Sequence, residues 1–193
     1  MHDIKAEKNG LRAEFLSKRR AISVDIKKEL DRRICENVIN CRSYKYYDTI
    51  LLFAALPDEP DLSALAEKAL SDGKRVAYPR CIPGTRDMRF HFVTDLSQLK
   101  QGSYGIYEPD ADLPVFDTSA QSCSLCIIPA VISDKAGYRI GYGGGYYDRF
   151  LNKFGGAAAT AVYSGFVKDA VPHGKYDKKA DMIITEGGIY QIV

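Results

Sequence analysis

The chain has 193 residues, 46% of them apolar and 27% charged, with 27 Lys and Arg against 25 Asp and Glu for a net charge of +2. That length is enough to bury a sizeable core in one domain over residues 1–193, and so small a charge argues against nucleic acid as a partner. No apolar run reaches membrane-spanning length, and the opening residues Asp3, Lys5, Glu7 and Lys8 lack the apolar centre of a signal peptide, so a cytoplasmic location without a membrane partner is expected.

Asp3 to Ala21 reads as a helix, with Leu11 and Phe15 on one side and Lys5, Lys8, Arg12 and Arg19 on the other. Lys8 and Arg12 are four apart and rise from the same face. Ser23 suits the N-cap of a second helix, whose Ile26, Leu30, Ile34 and Val38 are expected to pack on a sheet. Thr49 to Ala55 is a continuous apolar run, as in a strand buried on both faces. A loop through Leu56 and Asp61 follows, then a helix from Leu62 to Ser71, closed by Gly73, and a strand from Arg75 to Pro79.

That strand–helix–strand order implies a right-handed parallel crossover. Ligands of open parallel sheets bind beyond the carboxyl ends of the strands, where Leu56, Asp61 and Arg80 would sit. Met88 to Val93 is a further strand, and the irregular region to Ser122 suggests loops over one side of a site. Leu125 to Ile132 is a second buried strand. Tyr146 to Phe154 reads as a short helix, Thr160 to Gly165 and Met182 to Thr185 as strands, and Gly187-Gly188 as a turn into Ile189 to Val193. The fold expected is α/β: a three-layer α/β/α single domain with a mostly parallel central sheet.

An odd number of cysteines, Cys35, Cys41, Cys81, Cys123 and Cys126, argues for reduced thiols. Cys123 and Cys126 have zinc-like spacing but no second pair to complete four ligands, and they run straight into apolar Ile127 and Ile128. His2, His91 and His173 are too scattered for a triad or metal cluster.

The most informative stretch is Arg139-Ile140-Gly141-Tyr142-Gly143-Gly144-Gly145-Tyr146-Tyr147-Asp148-Arg149. Four glycines in five positions let the backbone approach a ligand and turn N–H groups toward a phosphate. It lacks the Gly-Lys-Ser/Thr of a Walker loop and the third glycine of the dinucleotide fingerprint. A glycine-rich surface turn is the bland reading, but it leaves the flanking Arg, Tyr and Asp residues unexplained.

With Pro129 and Gly137-Tyr138 ahead of it, this block resembles the signature of the 5-formyltetrahydrofolate cyclo-ligases, also called methenyltetrahydrofolate synthetases. Lys8-x-x-Leu11-Arg12 resembles that family's N-terminal basic helix, Gly105-Ile106-Tyr107-Glu108-Pro109 its central turn, and Asp181 its late acidic position. Some members carry basic residues where this chain has Tyr142 and Gly144.

The resemblance implies ATP-dependent closure of 5-formyltetrahydrofolate to 5,10-methenyltetrahydrofolate, with ADP and phosphate released. It implies catalytic roles for Arg139, Tyr146 and Asp148. ATP would be bound by Lys8, Arg12, Arg139, Ile140, Gly141, Tyr142, Gly143, Gly144, Gly145, Tyr146 and Tyr147. Folate would be bound by Leu56, Asp61, Tyr142, Gly143, Gly144, Gly145 and Tyr146. Asp148 and Asp181 would hold Mg2+, and the chain is expected to act as a monomer. From the residues alone, Asp61 serves equally well as an N-cap, Asp148 as a partner of Arg149, and Asp181 as a pre-strand turn residue. A sugar-phosphate isomerase or CoA-transferase-like enzyme, and a non-catalytic folate- or nucleotide-binding protein, stay open as alternatives.

Overall fold

A computed structural model describes residues 3–102, 105–118 and 123–192. His2 and the end of the long irregular region at Ser122 lie outside the described residues. Helix α1 spans Ile4–Arg20, opened by Asp3, whose carboxylate accepts from the Lys5 and Ala6 N–H groups. Helix α2 spans Val24–Ile39, and the Ser23 hydroxyl accepts from Ile26 N as the sequence suggested. Ile34 and Val38 are fully buried, but Ile26 is 57% exposed. The four-residue apolar spacing is therefore fully buried only in the second half of α2.

Strand β1 is Thr49–Leu51, followed by helix α3 (Ser63–Ser71) and strand β2 (Arg75–Cys81). β1 and β2 pair in parallel, Thr49 opposite Arg75. The expected strand to Ala55 is shorter because the chain peels away after Leu52, whose N–H makes one last bond to Ala77 O at 2.9 Å. β3 (Met88–Val93) returns antiparallel to β2, and β4 (Leu99–Gln101) and β5 (Tyr107–Pro109) form a separate ribbon.

β6 is Ser124–Pro129 and lies parallel to β1. The predicted strand to Ile132 is broken here. The chain passes through Ala130 and Val131 into β7 (Ile132–Asp134), which joins β8 (Arg139–Ile140) and β10 (Val167–Lys168) in a second, three-stranded sheet. Helix α4 is only Tyr146–Leu151, three residues short of the expected end. β9 is Ala157–Ala161, with a 3-10 turn at Ser164–Phe166 where a continued strand was expected. β11 (Met182–Thr185) and β12 (Gly188–Gln191) close the chain as an antiparallel pair.

The main sheet runs β12-β11-β9-β6-β1-β2-β3, parallel except at its two edges. Alternation along the strands sends Ile50, Leu52, Val76 and Ile127 to one face, where α1, α2 and α3 bury them. Leu51, Ala77, Cys126 and Ile128 face the other side, against Phe90, Phe116 and Phe150 of α4. Phe15 docks α1 by meeting Phe166 edge-on at 5.8 Å. Among the described residues no helix is long and apolar enough to cross a membrane.

The strand order has one functional consequence. From β1 the chain moves outward to β2, whereas from β6 it moves the opposite way to β9. The connections leaving the carboxyl ends of β1 and β6 therefore diverge and open a crevice, the place where ligands of open α/β sheets bind.

Candidate active site

The glycine-rich segment follows β8 and ends at α4, beside that crevice. Gly143 (φ +96°) and Gly145 (φ +72°) occupy the left-handed region, which a side chain would strain. α1 lies across the loop. Arg12 donates through Nε to Gly141 O at 2.7 Å and through Nη1 to Asn9 Oδ1 at 2.6 Å. Lys8 reaches both carboxylate oxygens of Asp177 at 2.7 and 2.6 Å. Burial works against the charged Asp177, but Lys8 and the Gly174 N–H outweigh it and hold the carboxyl below its usual range.

Arg139 is buried. Its Nη1 donates to Lys178 O at 2.7 Å and its Nη2 to Asp148 Oδ1 at 2.9 Å. Lys178 N also donates to Asp148 Oδ1, at 3.2 Å. Both contacts use Oδ1. Asp148 pairs with Arg139 instead of its neighbour Arg149, which turns back to the carbonyls of Gly144 and Gly145 at 3.4 and 3.3 Å.

A cleft of about 470 Å³ opens between this loop and the β2–β3 turn, lined by Gly143, Gly144 and Tyr146 on one wall and Gly84, Thr85 and Arg86 on the other. The Tyr146 hydroxyl approaches Thr85 O at 3.5 Å. Sequence reading missed this second wall. Pro83-Gly84 marks a turn, but nothing in the sequence says which loop the turn faces.

Several expected site residues are engaged by contacts within the protein itself. The Ile140 side chain is buried in the core and its carbonyl accepts from Val131 N at 2.8 Å. Tyr147 packs between the two hydrophobic clusters. α4 has six residues, so its helix dipole is short. Asp61 Oδ1 accepts from Ser63 N at 2.9 Å, the helix-start role, while the residue stays exposed. Asp181 Oδ2 accepts from Ala158 N at 2.8 Å and braces the start of β9; no described contact brings it to Asp148. The pre-strand reading thus accounts for Asp181.

Arg19, expected on the basic outer face of α1, is buried instead. Its Nη2 donates to the Tyr142 hydroxyl at 2.6 Å. Glu59, which sequence reading also passed over, is buried and accepts from Leu56 N at 2.8 Å. Burial raises its carboxyl above the ordinary range. His91 is buried, with Nδ1 2.8 Å from Leu113 O. Among the described residues no group of three or more His, Cys, Asp and Glu side chains could hold a metal unaided.

Residues 4–186 match the 5-formyltetrahydrofolate cyclo-ligase family. The chain belongs to that family. Curated relatives include the 5-formyltetrahydrofolate cyclo-ligase of Mus musculus, 25% identical with 95% of each chain covered. That of Mycoplasma pneumoniae is 29% identical over 93% of this chain and 99% of its own. Among solved structures, the 5,10-methenyltetrahydrofolate synthetase of Aquifex aeolicus superposes with a TM-score of 0.85 at 26% identity, covering 96% of this chain and 92% of that one. The synthetase of Mycoplasma pneumoniae gives 0.75 at 26%, covering 93% and 99%. This cyclo-ligase family member thus shares its whole mixed α/β framework with enzymes of folate metabolism.

Proposed function

We propose that the chain closes 5-formyltetrahydrofolate to 5,10-methenyltetrahydrofolate, with ATP as co-substrate. An N-formyl carbon is a poor electrophile because nitrogen donates its lone pair into the carbonyl. Attack of the formyl oxygen on the γ-phosphorus breaks the bond to the β-phosphate oxygen and releases ADP. The neighbouring amine then attacks the formyl carbon and gives up its proton, and the C–O bond breaks to expel phosphate, which carries that proton away. Little covalent help is needed from the protein; positioning and charge neutralisation carry such a transfer.

The observation that supports this most is the convergence of α1 on the glycine-rich loop, with Arg12 bonded to Gly141 O and Lys8 nearby. Lys8 and Arg12 supply charge to the nucleotide phosphates, and the N–H groups of Gly141 to Gly145 cradle them. Asp148, oriented by Arg139 through Oδ1, would hold Mg2+ through Oδ2. One protein carboxylate beside phosphate oxygens and water suits that ion, which when bound supplies positive charge to those oxygens. Arg139 acts through Asp148, because its bound partners are inside the protein.

Folate lies in the crevice after β1, with Leu56, Tyr142 and Tyr146 as flat apolar surface, Gly143 to Gly145 at its edge, and Asp61 on the pterin donors. The test is one incubation with magnesium-ATP and 5-formyltetrahydrofolate, following near-ultraviolet absorbance of the conjugated product together with ADP. Equal amounts of both are expected. Product formed without nucleotide, by protein stripped of ligands, would overturn the reading.

A further inference from the structure

The second wall of the cleft carries a cation with no partner in the protein. Arg86 is the charged residue among those lining the cleft. It is exposed, and among the described residues it makes no hydrogen bond and no ion pair. The other arginines around the site are engaged: Arg12 with Gly141 O, Arg139 with Lys178 O and Asp148, Arg149 with the carbonyls of Gly144 and Gly145, and Arg80 with Pro109 O at 2.7 Å. The glycine-rich loop has no basic side chain between Arg139 and Arg149. Positive charge for an anion in this cleft therefore comes from across it. The turn that presents Arg86 is well braced. The Thr85 hydroxyl donates to Ile82 O at 2.8 Å and accepts from Asp87 N at 3.1 Å, and Ile82 N donates to Asp87 O at 3.0 Å. On the facing wall, a Cβ at Gly144 would come within 2.8 Å of the Tyr146 ring, so this glycine lets the ring lie against the loop backbone.

We propose that Arg86 pairs with the carboxylates of the substrate's glutamyl tail, while the Tyr146 ring takes the aminobenzoyl group next to them. It rests on the reading that folate lies along Gly143 to Gly145 and Tyr146. 5-Formyltetrahydrofolate is flat and apolar at its aminobenzoyl group and carries two carboxylates at the end far from the formyl group. The cleft offers a partner for each. One wall has an aromatic ring, and the other has a free guanidinium next to Thr85, whose carbonyl the Tyr146 hydroxyl approaches. A guanidinium binds a carboxylate through two parallel N–H donors. The nucleotide phosphates are a poorer match. Lys8 and Arg12, the phosphate cations of the reading above, do not line this cleft. Phosphoryl transfer also gains from the exclusion of water, whereas Arg86 is exposed. A tail that leaves the site toward solvent suits an exposed partner.

The test compares wild type, Arg86→Ala and Arg86→Lys on two substrates: 5-formyltetrahydrofolate, and 5-formyltetrahydropteroate, which lacks the glutamyl group. Thermal unfolding is measured alongside, and Arg86→Ala should unfold with the wild type because its side chain holds nothing in the protein. Arg86→Ala should raise the KM for 5-formyltetrahydrofolate about tenfold, with kcat and the KM for ATP within about twofold, the pattern of lost ground-state binding. Arg86→Lys keeps the charge without the fork and should recover part of that loss. Removing the glutamyl group should raise the wild-type KM by a similar factor, and Arg86→Ala should then change nothing further, because both deletions cut one contact. An unchanged folate KM in Arg86→Ala, the same loss on the truncated substrate, or a rise in the KM for ATP instead would each overturn the proposal. A wild-type chain that gives no folate-dependent ADP removes the reading beneath the proposal and the proposal with it. A competent wild type matched by Arg86→Ala removes the tail contact only.

Discussion

Lys8 and Asp177, 169 positions apart, are joined through both carboxylate oxygens of Asp177. The pair ties α1 to the segment before β11 and occupies the lysine expected on the nucleotide phosphates. On the proposed reading, phosphate would compete with Asp177 for Lys8. Asp177→Asn should weaken that competition and lower the KM for ATP. Titration with ATP decides; a raised KM would mean that the pair positions Lys8 for phosphate.

The same pair fixes a pH dependence. The folded Asp177 carboxyl lies below its ordinary value, so its contribution to stability is fully present above the unfolded value of about 3.9 and fades as pH falls through the lower folded one. Wild type and Asp177→Asn should differ in unfolding free energy near neutral pH and converge below about pH 4. A difference that stays constant with pH would show that the asparagine acts through packing instead.

Asp148→Asn retains an acceptor for Arg139 and Lys178 N but loses the charge. Arg139 is buried and Asp148 partly exposed, and since the amide keeps an acceptor for both donors the expected stability loss is about 1 kcal/mol after allowance for solvent screening. Turnover should fall about a hundredfold or more, because a neutral amide cannot stand in for a carboxylate at a divalent ion. Survival of turnover with wild-type magnesium dependence would make Asp148 purely structural.

Asp61→Ala separates two roles. Losing the bond to Ser63 N should cost about 0.5–2 kcal/mol of stability. If Asp61 also accepts from the pterin edge, folate affinity should drop by a further one to two orders of magnitude, roughly 1–3 kcal/mol, with the ATP requirement little changed. Measuring folate affinity and unfolding in the same variant decides, and intact affinity removes Asp61 from the site.

α2 gives a control on the fold. Ile34→Ala removes a fully buried side chain and should cost about 2–5 kcal/mol, whereas Ile26→Ala, at an exposed position, should change stability by less than about 0.5 kcal/mol. Equal losses at the two sites would contradict the packing of α2 described above.

Local patterns were enough to determine much of this protein. Ser23 before an apolar periodicity specified the start of α2, and the continuous apolar runs at Ile50 and Ile127 specified strands buried on both faces. The glycine-rich block pointed to the site because positive backbone angles at Gly143 and Gly145 are a local requirement that leaves its mark in residue type. What only the tertiary structure decided is pairing across long separations. Arg19 and Lys8 are indistinguishable on a helical wheel from solvated cations, yet one is buried against Ala130 and Tyr142 and the other is held by Asp177. Asp148 has an arginine beside it in sequence, but pairs with Arg139 because β8 and α4 meet there. Asp181 and Asp61 carry the charge a ligand site needs, and backbone N–H groups brought close by the fold claimed one oxygen of each. The strand order, which opens the crevice between β1 and β6, depends on which strands pair, and that depends on the whole chain collapsing onto one sheet.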